Sequence, residues 1–109
     1  MDVVVVDEQN KHDPNFSTVQ SPNPENPEAL KRGISVARKT KTELVMGSDP
    51  DCDRIGVAAK LKGGDFVCLS GNQVACMLAE YRLMATKRKQ LLADDSSGRV
   101  AILKTFVTT

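Results

Sequence analysis

Apolar periodicity is the feature that most constrains this chain. Two stretches carry apolar residues at helical spacing, and short β-branched or aliphatic runs stand before, between and after them. Leu30, Ile34 and Ala37 fall at i, i+4 and i+7, one stripe of a helix expected over residues 27–39. Val74, Met77, Leu78, Tyr81, Met84 and Ala85 repeat in the same way, in a helix that runs to Lys87-Arg88-Lys89. The runs at 3–6, 44–46, 55–59, 66–69 and 100–107 read as strands. Strands alternating with helices in this order predict an α/β layered domain, a mixed β-sheet flanked by helices. At 109 residues the chain has room for one domain, 1–109, with one modest core.

The punctuation agrees with that order. Residues 7–26 are rich in Asn and Pro, including DPNF and SPNPENP, and each proline pushes the preceding residue out of the helical region. A loop of some 20 residues is long for a compact domain and points to a functional role. Asn26-Pro27 opens the first helix, with Asn as N-cap, Pro at the first helical position and Glu28 in the first turn. Ser70 and Gln73 have capping-box spacing before the second. Gly63-Gly64 marks a hairpin turn and residues 94–98 another turn.

Composition excludes several function classes. Hydrophobic residues are 40% and charged residues 27%, the balance of a globular domain rather than a disordered one. No run approaches the roughly 18 apolar residues of a membrane span, and the N-terminus lacks the basic region of a signal peptide. Fifteen Lys and Arg against 14 Asp and Glu leave a net charge of +1, and aromatics are only 4%. Neither favours nucleic acid or membrane as a partner. Cys52, Cys68 and Cys76 are odd in number, with no CxxC pair, and are expected as small buried apolar residues in a reducing cytoplasm. The chain opens on one strand-like run and stops on another, LKTFVTT, which suggests a piece of a longer protein.

Chemistry concentrates in Ser48-Asp49-Pro50-Asp51-Cys52-Asp53-Arg54. Three carboxylates alternate over five residues after a strand. In an extended chain Asp49, Asp51 and Asp53 would point the same way and converge. Carboxylates so close repel unless a cation sits among them, and hard oxygen donors select Mg2+ or Ca2+. An EF-hand is excluded, because its sixth loop position, Gly, is Arg54 and its twelfth, Glu, is Lys60. The alternative is a solvated acidic turn. The position at the end of a strand, where α/β sheets gather ligand sites, favours the cation.

SPNPENPEAL, then SDPDCDRIGVAAK, then LSGNQ at a helix start and LKTFVTT together resemble the phosphoglucomutase/phosphomannomutase family of phosphohexose mutases. The likeness spans essentially the whole chain in order and corresponds to the second of the family's four domains. The family's metal loop reads D-G-D-G-D-R or D-P-D-A-D-R, and here it is D-P-D-C-D-R. The resemblance implies that Asp49, Asp51 and Asp53 are Mg2+ ligands and that Arg54 approaches a phosphoserine of the parent enzyme. It implies a sugar phosphate substrate, with a phosphoserine and a bisphosphate intermediate, and other domains of the parent as partners. The sugar stays open among glucose, mannose and a pentose. The catalytic serine and the sugar- and phosphate-binding loops belong to other domains, so this piece alone is expected to be inactive. The alternative reading is a stand-alone, non-catalytic cation-binding or interaction module.

The remaining candidates have simpler expectations. His12 reads as a surface residue, and Ser70-Gly71-Asn72 as a helix cap rather than an anion site. Ser48 and Ser70 lack a neighbouring base. The Met77/Tyr81/Met84 stripe reads as core or as a face against a neighbouring domain, and Lys87-Arg88-Lys89 as a solvated helix end.

Overall fold

The computed structural model describes residues 2–88 and 102–104. The chain divides into two compact units, Met1–Ser70 and Gly71–Thr109.

The first unit holds one helix and one sheet. Helix α1, Pro27–Thr40, starts as its sequence dictates: the Asn26 side chain accepts a hydrogen bond from the Glu28 amide, and Pro27 needs no partner for a missing N–H. It ends at Lys41 in the left-handed region, with the Lys41 amide on the Ala37 carbonyl and Arg38 and Lys39 in the last turn. Strands β1 (Leu44–Ser48), β2 (Ile55–Lys60) and β3 (Phe66–Leu69) form an antiparallel sheet in the order β1-β2-β3. The β2–β3 turn uses Gly64 at φ +95°, a conformation that glycine adopts without strain.

Helix α1 covers one sheet face. Leu30 and Ala37 meet Val45 and Ala58, which pair across β1 and β2, with Ile34, Phe66 and Cys68 around them. Burial of the Leu30 and Val45 side chains contributes about 1.5–3 kcal/mol each, and that of an alanine methyl less. Close approach depends on glycine. A Cβ on Gly33 would lie 2.6 Å from Val45 Cγ1, and one on Gly47 would lie 3.1 Å from Leu30 Cδ2. A Cβ on Gly56, opposite Gly47 in the ladder, would collide with the Pro24 carbonyl. The loop at Pro24 thereby lies against β2. Its own turns are side-chain made: Asp13 accepts from the amides of Asn15 and Ser17, and Asn23 from that of Glu25. Arg32 of α1 pairs with Glu8 and donates to the Thr18 carbonyl, which ties the loop to the helix.

The second unit contains α2, Gly71–Arg88, which begins directly after Ser70. Met77, Leu78, Tyr81 and Met84 are exposed, so their stripe is not core.

Three expectations change. The fold class stands as α/β, but among the described residues the sheet is wholly antiparallel rather than mixed. The run at 3–6, which could have supplied a parallel pair, has no ladder partner among the described residues. Val3, Val4 and Val5 are exposed, and the Val6 carbonyl serves a turn, accepting from the amides of Gln9 and Asn10. β-branching favours an extended backbone, but a strand also needs a neighbour for its polar groups. Finally, Cys52 and Cys76 are exposed, with only Cys68 half-buried. The turn at 94–98 and the end of the second helix at Lys89 lie outside the described residues. So does the strand at 100–107, apart from 102–104, which carry no strand.

Candidate metal centre

The acidic segment is the loop of a hairpin. β1 ends and β2 begins at the pair Ser48↔Ile55, leaving residues 49–54 to cross between them. Asp49-Pro50-Asp51-Cys52 forms a tight turn in which the Cys52 amide donates to the Asp49 carbonyl at 3.1 Å. Pro50 occupies the second turn position, where its fixed φ fits. Cys52 then adopts φ +60°, which bends the chain back toward β2.

This turn gathers the three carboxylates. One oxygen from each of Asp49, Asp51 and Asp53 lies within 4.8 Å of the others. The convergence anticipated from strand alternation is real, but its cause differs: it comes from the turn and the left-handed Cys52, not from an extended backbone. Asp49 is buried at 2% exposure, whereas Asp51 and Asp53 are exposed.

Arg54 closes the loop. Its amide donates to Asp49 Oδ1 at 3.0 Å and its Nε to Asp49 Oδ2 at 2.7 Å. The same Nε stands 3.5 Å from Asp53 Oδ1. Burial pushes the Asp49 carboxyl pKa up, but these two donors, a hydrogen bond with Asp53 and the guanidinium charge outweigh it and hold the pKa at about 2. Asp53 moves the other way: the hydrogen bond with Asp49 raises its pKa, and the charges of Asp51 and Asp49 add to that. The hydrogen bond to Asp49 raises Arg54 in turn. The two Arg54 donors therefore favour the anionic form of Asp49.

The donor set suits a hard cation. Ligand oxygens around Mg2+ are about 3–4 Å apart for metal–oxygen distances of roughly 2.1 Å. A trio within 4.8 Å needs only small rotations of the two exposed carboxylates to meet that spacing. All donors are oxygen, which suits Mg2+ or Ca2+ rather than a softer metal.

The other candidates fall around this loop or away from it. His12 is exposed and borders the open cleft that Ser48, Asp49, Pro50 and Cys52 also border. Ser48 Oγ is 3.7 Å from Cys52 Sγ, a thiol and not a base. Sequence reasoning placed Arg54 next to the site but missed its grip on Asp49. The available signal was the five-residue separation of Asp49 and Arg54 across a hairpin. Likewise, a glycine in one form of the family loop at the Cys52 position signals the left-handed backbone found there.

Fold and loop together define an α/β domain that carries an oxygen-rich hairpin fit for a divalent cation. Residues 1–63 match the family described as phosphoglucomutase/phosphomannomutase, alpha/beta/alpha domain II. The chain belongs to that family and represents its second domain. It is 40% identical over 84 residues to a phosphoglucomutase of Staphylococcus aureus strain N315, which covers 77% of this chain and 15% of that protein. It is 39% identical over the same span to the phosphoglucomutase of strain USA300, with the same coverage. The chain thus spans about 15% of the length of the curated relatives it matches. No solved structure matches it.

Proposed function

We propose that the 49–54 loop binds Mg2+ through Asp49, Asp51 and Asp53, as the metal-binding part of a cytoplasmic phosphoglucomutase/phosphomannomutase-type enzyme. The parent enzyme would interconvert sugar 1-phosphate and 6-phosphate through a phosphoserine and a bisphosphate. The observation that carries this reading is the convergence of three carboxylate oxygens within 4.8 Å on a hairpin loop of a family member. When bound, the cation would neutralise charge on the transferring phosphoryl group. The chain's own residues would hold that cation in place. Asp49 supplies a fixed ligand and Asp51 and Asp53 supply adjustable ones, while the exposed part of Arg54 lies at the loop surface, where a phosphoserine from another domain can reach it. The partners are the other domains of the parent and its sugar phosphate substrate. Neither nucleic acid nor a membrane is expected as a partner, and no helix among the described residues is long and apolar enough to cross a membrane.

Isothermal calorimetry with Mg2+ tests the reading. The chain supplies three aspartates and no phosphate oxygen, so the affinity expected is weak, on the order of millimolar. Asp51→Asn should abolish measurable binding while the far-UV spectrum and stability stay the same or improve, because one repulsive charge is gone. Absence of binding at tens of millimolar by this expectation would overturn the metal assignment. Sub-micromolar affinity would instead support a stand-alone cation binder.

A further inference from the structure

We propose that Arg54 is a positioning residue for the cation site: with two donors it fixes the Asp49 carboxylate beside Asp51 and Asp53. The inference rests on the metal reading of the loop and adds a role within the chain itself. The two exposed aspartates can rotate, but Asp49 cannot; its side chain is 1% exposed and Arg54 holds each of its oxygens with a separate donor. The two donors come from one residue, an amide fixed by the start of β2 and an Nε on a side chain that is 52% exposed. They set both the tilt and the rotation of the carboxylate plane. Each carboxylate oxygen accepts more than one contact, so the two Arg54 donors leave lone pairs of Asp49 for a cation. Losing an outer partner that orients a ligating carboxylate in this way costs roughly 10–100-fold in metal affinity.

Electrostatics alone predicts the opposite sign. The guanidinium is a positive charge close to the cation, so removing it should tighten binding if Arg54 were only a bystander. The sign of the change therefore separates the two roles. Mn2+ binding to the chain is followed by electron paramagnetic resonance, with Arg54→Gln and Arg54→Lys beside the unsubstituted protein. Both variants keep the amide bond to Asp49.

Arg54→Gln should weaken Mn2+ binding about tenfold or more, despite the lost positive charge, and should change the line shape of the bound ion as one ligand drifts. Equal or tighter binding by this variant overturns the inference and leaves the metal reading standing. Should circular dichroism show Arg54→Gln unfolded, Arg54→Lys decides, since it keeps the charge but not the Nε donor. A several-fold loss in the lysine variant supports the positioning role, and full affinity overturns it. If the unsubstituted chain holds no Mn2+, the metal reading fails and this inference fails with it.

Discussion

Cys52 sits at φ +60°, in a region that costs an L-residue roughly 1–2 kcal/mol and glycine almost nothing. Its thiol has one contact of note, Ser48 Oγ at 3.7 Å. The strain belongs to the backbone, then, and not to the side chain. Cys52→Gly should stabilise the chain by up to about 1 kcal/mol in urea denaturation, less whatever the more flexible unfolded chain takes back. Cys52→Ala should be nearly neutral, because alanine keeps the same misfit and loses only a weak contact. Destabilisation by Cys52→Gly would show that the loop does not rest in this conformation. At this scale the sequence spoke clearly about which residues meet. Asp49, Asp51 and Asp53 were legible as a set because they alternate over five residues directly after a strand. It said less about how they meet, since an αL residue and a two-donor clamp from Arg54 depend on the hairpin closing around them.

Among elements, the interface between α1 and the sheet is thin, and glycine makes it so. Gly33 and Gly47 let the helix approach Val45 and Leu30, and Gly56 lets the Pro24 carbonyl lie on β2. That last contact has no give, because its partner is backbone. Gly56→Ala should destabilise the chain by about 1–3 kcal/mol, the cost of overpacking, and should loosen the 22–26 segment. Gly63→Ala is the comparison: a Cβ there meets nothing, so the change should stay within about 0.5 kcal/mol. Denaturation midpoints of the two variants check the pair, and equal midpoints would contradict the packing. The element boundaries of α1 were legible because a cap, a proline and a closing cluster of cations mark them locally. The same was true of the β2–β3 hairpin. The run at 3–6 was misread because β-propensity is local while pairing is not: four valines specify an extended backbone, and only a neighbouring strand would make it a ladder.

For the molecule as a whole, the acidic hairpin supplies one part of what phosphoryl transfer needs. A divalent cation at Asp49, Asp51 and Asp53 would neutralise charge on a phosphoryl group, but transfer also needs a group to carry the phosphate. Ser48 is the hydroxyl nearest the loop in sequence, and its contact is a thiol rather than a base that would take its proton. His12 borders the same cleft from an exposed loop, with no ordered partner to orient it among the described hydrogen bonds. Among the carboxylates, Asp49 is held by Arg54, and Asp53 stands 3.5 Å from the same Nε. On the proposed metal reading, such an arrangement would bind and position a cation without itself carrying the phosphate. The chain, at about 15% of the length of its phosphoglucomutase relatives, should accordingly show no interconversion of sugar 1- and 6-phosphates in a coupled assay, with or without Mg2+. Mixing it with Mg2+ and sugar phosphate should leave both phosphorus resonances unchanged over hours. Turnover above background, in a preparation shown to be free of host mutase, would mean that a nucleophile within these 109 residues carries the phosphate. The cation loop would then be a complete active site rather than one part of it.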